Sequence, residues 1–154
     1  MRHTLPLLAA CTLLVCAAPS AVAKKPAKTK TVSVSVKGVT KAVGAPKPGQ
    51  VEDKGTVTGT PFGKGKIDLI ATFDGTHVTA TFTVTTSKGN VFGTSDMTLV
   101  VANGILTFTG TSKITGGTKA YKGIRGTGLK VVDTNTPDGQ NGRITMTGKV
   151  RIPR

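Results

Sequence analysis

The sequence predicts an all-β protein: an eight-stranded antiparallel barrel, with a two-sheet β-sandwich as the alternative. Three observations carry this expectation. Apolar and polar residues alternate over one stretch after another, the period-two pattern of a half-buried strand. Short segments rich in Gly, Asn and Asp separate those stretches at regular intervals. No segment of the expected mature chain carries a helical period. A meander of eight such strands removes its own unpaired edges by closing. At eight strands the interior is filled by side chains or holds one small ligand.

The first element is a leader and not part of the fold. Arg2 and His3 precede an apolar stretch from Leu5 to Ala18, and Ala21-Val22-Ala23 has the small-residue pattern of a cleavage site. This is the layout of a secretory signal peptide, cleaved after Ala23, which places the mature protein outside the cell. A membrane span needs about 20 apolar residues, more than this stretch offers. Leu8-Ala9-Ala10-Cys11 supports a competing reading as a lipoprotein anchored through Cys11, but the apolar core before that cysteine is short.

The expected organisation is a signal peptide over 1–23, a basic segment over 24–50 and a barrel domain over 51–154. The basic segment opens with K-K-P-A-K-T-K and contains a first strand, T-V-S-V-S-V-K, with Val32, Val34 and Val36 on one face. A loop rich in proline and glycine follows over 43–55. The next strands are expected at 55–60 and 64–73, split by Pro61-Phe62-Gly63. Asp74-Gly75 turns the chain into 77–86, where Val78, Ala80, Phe82 and Val84 oppose Thr79, Thr81, Thr83 and Thr85. Lys88-Gly89-Asn90 leads into 91–101, and Asn103-Gly104 is a strong hairpin signal before 105–114. The last two strands are expected at 125–134 and 142–152. Threonine fills much of the polar face, as suits a β-branched residue on a pleated surface.

Composition excludes several chemistries. Both cysteines, Cys11 and Cys16, lie in the leader, so the mature chain has neither a disulfide nor a cysteine nucleophile. His77 is then the one remaining histidine, which excludes a multi-histidine zinc site, and no metal is expected. The mature chain keeps 20 of the 21 Lys and Arg and all 7 Asp and Glu, a net charge of +13. Such a surface attracts anions. Single-strand nucleic-acid binders combine a cationic groove with stacking aromatics. Here all the phenylalanines except Phe62, and with less clarity Phe92, fall on core faces, so no nucleic-acid partner is expected. The basic tail and the strand face bearing Arg143, Lys149 and Arg151 suit an anionic envelope polymer instead.

The run K-I-T-G-G-T-K-A-Y-K-G-I-R-G-T-G over 113–128 invites a phosphate-loop reading. It lacks the spacing of a P-loop, and Gly126-Thr127-Gly128 opens a strand where a dinucleotide fingerprint must open a helix. The glycines are better read as geometry. Gly116-Gly117 would permit positive φ at a strand end. Thr118 would cap a single helical turn and Tyr121 would plug a barrel end. Gly123, Gly126 and Gly128 would swing the chain back into the sheet.

Within this run, G-G-T-K-A-Y-K-G-I-R-G (116–126) resembles the G-G-T-G-x-F-x-x-A-R-G signature of dirigent proteins. These share a calycin-like eight-stranded barrel with allene oxide cyclases. Gly116, Gly117, Thr118, Arg125 and Gly126 match in register, and Tyr121 takes an aromatic position. Lys119 departs from the usual Gly and Ile124 from the usual Ala. Two further stretches, 55–66 and 89–97, resemble bacterial secreted members of the group, and the resemblance spans roughly 55–154. It implies a cofactor-free barrel that binds a small hydrophobic ligand and guides a cyclisation or a radical coupling. It also implies a ligand-binding role for Arg125 and, less directly, Tyr121, and it leaves a homo-oligomer open.

Acidic residues inside strands are unusual. Asp68 and Asp96 oppose the apolar faces of their strands. Asp133 shares a face with Leu129 and Val131 and is the third ligand-binding candidate. It either points inward as a pocket ion pair with Arg125 or caps the following turn with Asn135 and Asp138. The catalytic residues are not assigned. The alternative to a ligand-binding barrel is a non-catalytic basic protein that grips anionic envelope polymers.

Overall fold

A computed structural model describes residues 28–154. The leader expected over 1–23 lies outside the described residues. The eight strands are β1 (Thr29–Gly44), β2 (Gln50–Thr60), β3 (Gly65–Asp74), β4 (His77–Thr86), β5 (Gly89–Ala102), β6 (Ile105–Gly117), β7 (Gly126–Asn135) and β8 (Asn141–Pro153). Each pairs antiparallel with the next, and β1 pairs with β8, so the sheet closes. That closed ladder replaces the sandwich alternative: the eight strands of the described residues form one sheet and not two packed face to face.

Alternation decides which side of each strand faces the interior. Val34 and Val36 in β1, Ile67, Leu69 and Ala71 in β3, and Val78, Ala80, Phe82 and Val84 in β4 all point inward and are buried. Their polar neighbours are exposed, including Asp68 and Asp96. Burial of one such aliphatic side chain is worth about 1.5–3 kcal/mol, so a one-residue slip of register would forfeit a whole strand's contribution.

Two strands are longer than their hydrophobic pattern suggests. β1 continues past Val36 through Gly38 and Thr40, both facing inward. A side chain at 38 would place its Cβ 2.6 Å from Val57 Cγ1, so glycine is what lets the wall close there. β2 starts at Gln50 and not at Gly55, because Val51, Asp53, Gly55 and Val57 form one inward row with an acid and a glycine in its middle. β1 lies between β2 and β8, so the barrel includes residues from Thr29 onward. The expected boundary at residue 51 therefore cuts through the fold.

The barrel has two unlike ends. The β2–β3, β4–β5 and β6–β7 connections lie at one end together with the N-terminus of β1 and the C-terminus of β8. The β1–β2, β3–β4, β5–β6 and β7–β8 connections lie at the other. The first end is sealed. Tyr121, in a 3-10 turn at Lys119–Tyr121, is buried and meets the Phe62 ring edge-on at 5.6 Å between centroids. Phe62, expected off the core, is buried there because Tyr121 and the β2–β3 turn converge on it. Ile114, Ile124, Leu129 and Val150 are fully buried near this seal.

The glycine run builds the seal somewhat differently from expectation. Gly116 and Gly117 remain in β6 without positive φ, and Lys119 takes the left-handed conformation instead, at φ 50°. Gly117 is required for space: a Cβ there would stand 2.7 Å from Tyr121 Cβ and from the Asn90 carbonyl oxygen. Thr118 occupies the cap position of the turn but makes no side-chain cap bond. Its hydroxyl accepts from the Asn90 N–H at 3.0 Å, tying the turn to β5.

Candidate functional site

Among the described residues the two ends of the interior differ in the space they hold. At the sealed end, among Val36, Phe62, Phe82 and Ile114, the void is about 20 Å³, room for one water at most. At the other end a cavity of about 130 Å³ opens among Asp53, Asp133, Asn135, Ser95 and an apolar wall that includes Leu69, Phe73 and Phe108.

Two carboxyls enter this cavity from different strands. Asp133 is carried by β7 in the inward series Leu129, Val131, Asp133 and is 7% exposed. Asp53 comes from β2 and is likewise 7% exposed. Burial first, and the neighbouring Asp53 charge after it, push the Asp133 pKa up to about 6 against the opposing Thr134 backbone. Burial also raises the Asp53 pKa. Asp133 Oδ1 is buried without a hydrogen-bond partner, and so is Asn135 Oδ1.

The register explains why these oxygens gather. Gly142 of β8 lies opposite Asn135 on one side and opposite Thr40 on the other. A Cβ on Gly142 would collide with Asn135 Oδ1 and Thr40 Oγ1 and stand 3.2 Å from Asp133 Oδ1. Glycine at 142 thus gives these three protein oxygens room to pack against the β8 backbone, where a side chain would not fit. Nearby, the buried Ser95 and Ser112 hydroxyls are bonded to one another at 2.7 Å.

Of the three residues singled out from sequence, the structure brings only Asp133 to the cavity. Arg125 and Asp133 do not form the pocket ion pair considered above. Arg125 immediately precedes β7 and Asp133 lies near its far end, eight residues on, or about 26 Å at 3.3 Å per residue. Arg125 is exposed, its Nη1 donates to the Ile124 carbonyl at 2.7 Å, and its backbone bridges Arg151. Tyr121 is spent on the seal, where its hydroxyl donates to the Phe62 carbonyl at 3.3 Å. Asp133 does not cap the β7–β8 turn either. Asp138 does so, accepting from the Thr136 hydroxyl and the Gln140 N–H.

No family model and no curated protein matches the sequence. Among solved structures, this chain is similar to the pterocarpan synthase dirigent protein GePTS1. The TM-score is 0.42 and the identity 11%, over 85% of this chain and 90% of the other. The fold stands on its own ladder: eight strands, each paired antiparallel with the next, and the last with the first.

Asp53 was missed from sequence because 43–55 reads as a loop. The usable signal was the period-two row Val51, Asp53, Gly55, Val57. Ser95 and Ser112 follow the same logic: each sits two residues after an inward glycine, Gly93 or Gly110, and before an inward apolar residue.

Proposed function

We propose that the barrel binds one small, largely apolar molecule in the cavity at its open end and that the Asp133–Asp53 pair transfers a proton on it. The observation that carries this reading is the buried Asp133 carboxyl, unpaired at Oδ1, in a cavity with mostly apolar walls. A carboxyl that holds its proton to about pH 6 is suited to general acid–base work near neutrality. Asp133 takes a proton from one position of the ligand and returns it at another, and the neighbouring Asp53 strengthens its hold on that proton in between. The apolar wall excludes water and fixes the ligand's pose.

Volume separates the two reactions that the sequence resemblance implies. A cavity of about 150 Å³ holds one benzene, and this one measures about 130 Å³. That suits ring closure or isomerisation within one small molecule better than coupling of two ring-bearing radicals. The leader-like residues 1–23 support a site of action outside the cell, and no cofactor is invoked.

The test is native mass spectrometry of small molecules retained by the protein. Ala71 lines the cavity, so Ala71→Leu should abolish retention while Arg125→Ala leaves it intact. Equal retention by the Ala71→Leu variant and the wild-type protein would refute the assignment of the site.

A second reading is favoured by the outer surface. Lys37 and Lys41 of β1 and Arg143, Lys149 and Arg151 of β8 are all exposed on adjacent strands. The nearest acid on β2, Glu52, is already paired with Lys54 at 3.0 Å. This face suits an anionic envelope polymer, held by a contact that salt weakens.

A further inference from the structure

The chain has 21 Lys and Arg against 7 Asp and Glu, yet among the described residues its two buried acids, Asp53 and Asp133, have no cationic partner. Among the described residues Lys54 pairs with Glu52, and His77 is hydrogen-bonded to Asp96, both at the surface. No lysine, arginine or histidine among the described residues lines the cavity. Its titratable groups are Asp53 from β2 and Asp133 from β7. Lining residues from the other strands, such as Leu69, Val78, Ser95, Phe108 and Ile144, present no titratable side chain to it.

The polar inventory is lopsided. Asp133 Oδ1 and Asn135 Oδ1 are acceptors without donors. The Ser95 and Ser112 hydroxyls are bonded to one another, which uses one O–H and leaves one, and neither reaches the two unpaired oxygens. A buried carboxylate left uncompensated is strongly disfavoured, and a charged donor relieves that more fully than a neutral one. An ammonium group brings three donors and no acceptor, the complement of this set.

We propose that the ligand of this cavity is a small primary ammonium ion carrying an apolar body about the size of one ring. Its nitrogen lies between the carboxyls of Asp133 and Asp53, and its body against Leu69, Phe73 and Phe108. The inference rests on the reading of this cavity as the ligand site. The strongly positive exterior would repel such a cation from non-specific positions, so any preference for it must come from an interior acid.

The experiment compares benzylamine with benzyl alcohol by ligand-observed NMR and calorimetry, on the wild-type protein and on Asp133→Asn, at pH 7.5 and pH 5. At pH 7.5 benzylamine should bind the wild-type protein about tenfold or more tighter than the alcohol, the scale of one charge-assisted hydrogen bond. Asp133→Asn should cut that ratio to about threefold or less while alcohol binding persists, and moving the wild-type protein to pH 5 should reduce it too. Asn is isosteric and uncharged, so the fold should survive. Persisting alcohol binding also shows that the cavity is intact. If the alcohol binds as tightly as the amine, the ammonium assignment is overturned and the ligand site stands. If neither binds at millimolar concentration, both are overturned. An amine preference unchanged in Asp133→Asn overturns the role given to this carboxyl and, with it, the proposal.

Discussion

At the scale of single residues, Asp133 should set an unusual pH dependence. Folded, it holds its proton to about pH 6; released from the fold, it should titrate near 3.8. Between those values the folded state binds more protons, so this group's contribution to stability grows as pH falls from 7 towards 4 and is lost as pH rises through 6. The full difference is about 3 kcal/mol. Asp133→Asn should therefore raise stability at pH 7 by about 1–3 kcal/mol and remove this dependence, as denaturant unfolding at pH 5 and pH 7 would reveal. A variant with the same pH profile as the wild-type protein would contradict the burial of this carboxyl. Lys119 makes a separate case. Its left-handed backbone at φ 50° costs an L-residue about 1–2 kcal/mol, part of which glycine returns as lost chain freedom. Lys119→Gly should stabilise by about 0.5–1 kcal/mol in thermal unfolding. Tyr121→Phe removes a buried hydroxyl from the Phe62 carbonyl and should cost about 0.5–1.5 kcal/mol without altering ligand binding at the far end.

At the scale of elements, legibility followed the chemistry of the inward positions. In β4 every second residue is Val, Ala or Phe, and the strand limits 77–86 were readable directly. In β2 the inward row passes through Asp53 and Gly55, so an alternation counted on hydrophobic residues starts the strand at Gly55 and not at Gln50. The same local chemistry concealed the site. A cavity is built where inward side chains are small or polar, and those positions look least like strand. Conversely, the conspicuous run 113–128 is conspicuous because packing is tight: Gly117 faces Tyr121 and Asn90 where a Cβ has no room. Its motif marks the seal, and the cavity with Asp133 lies at the opposite end. β1 was readable as a strand but not as part of the closed wall, since closure depends on a partner strand far along the chain. A fragment of residues 51–154 should therefore fail to fold as a monomer. It would leave β2 and β8 as bare edges, and size-exclusion chromatography should find aggregate instead of a barrel.

At the scale of the whole molecule, charge and interior oppose one another. The sequence has a large cationic excess, displayed on the outside, while two acids without counter-ions are enclosed within. If the exterior grips an anionic polymer, that attachment should weaken steeply between low and high salt, whereas occupancy of the cavity should change far less. Pull-down on an anionic resin across a salt series, with ligand retention measured on the same fractions, would separate the two. The closing seam carries a consequence of its own. It runs from Thr29 opposite Pro153 to Lys41 opposite Asn141, joining the first strand of the barrel to leave the ribosome with the last. Seven strands can zip up neighbour by neighbour as they emerge, but β1 must wait, one edge bare, until β8 has been made. Up to that moment the chain is an open ribbon, and a single strand decides whether it becomes a container at all.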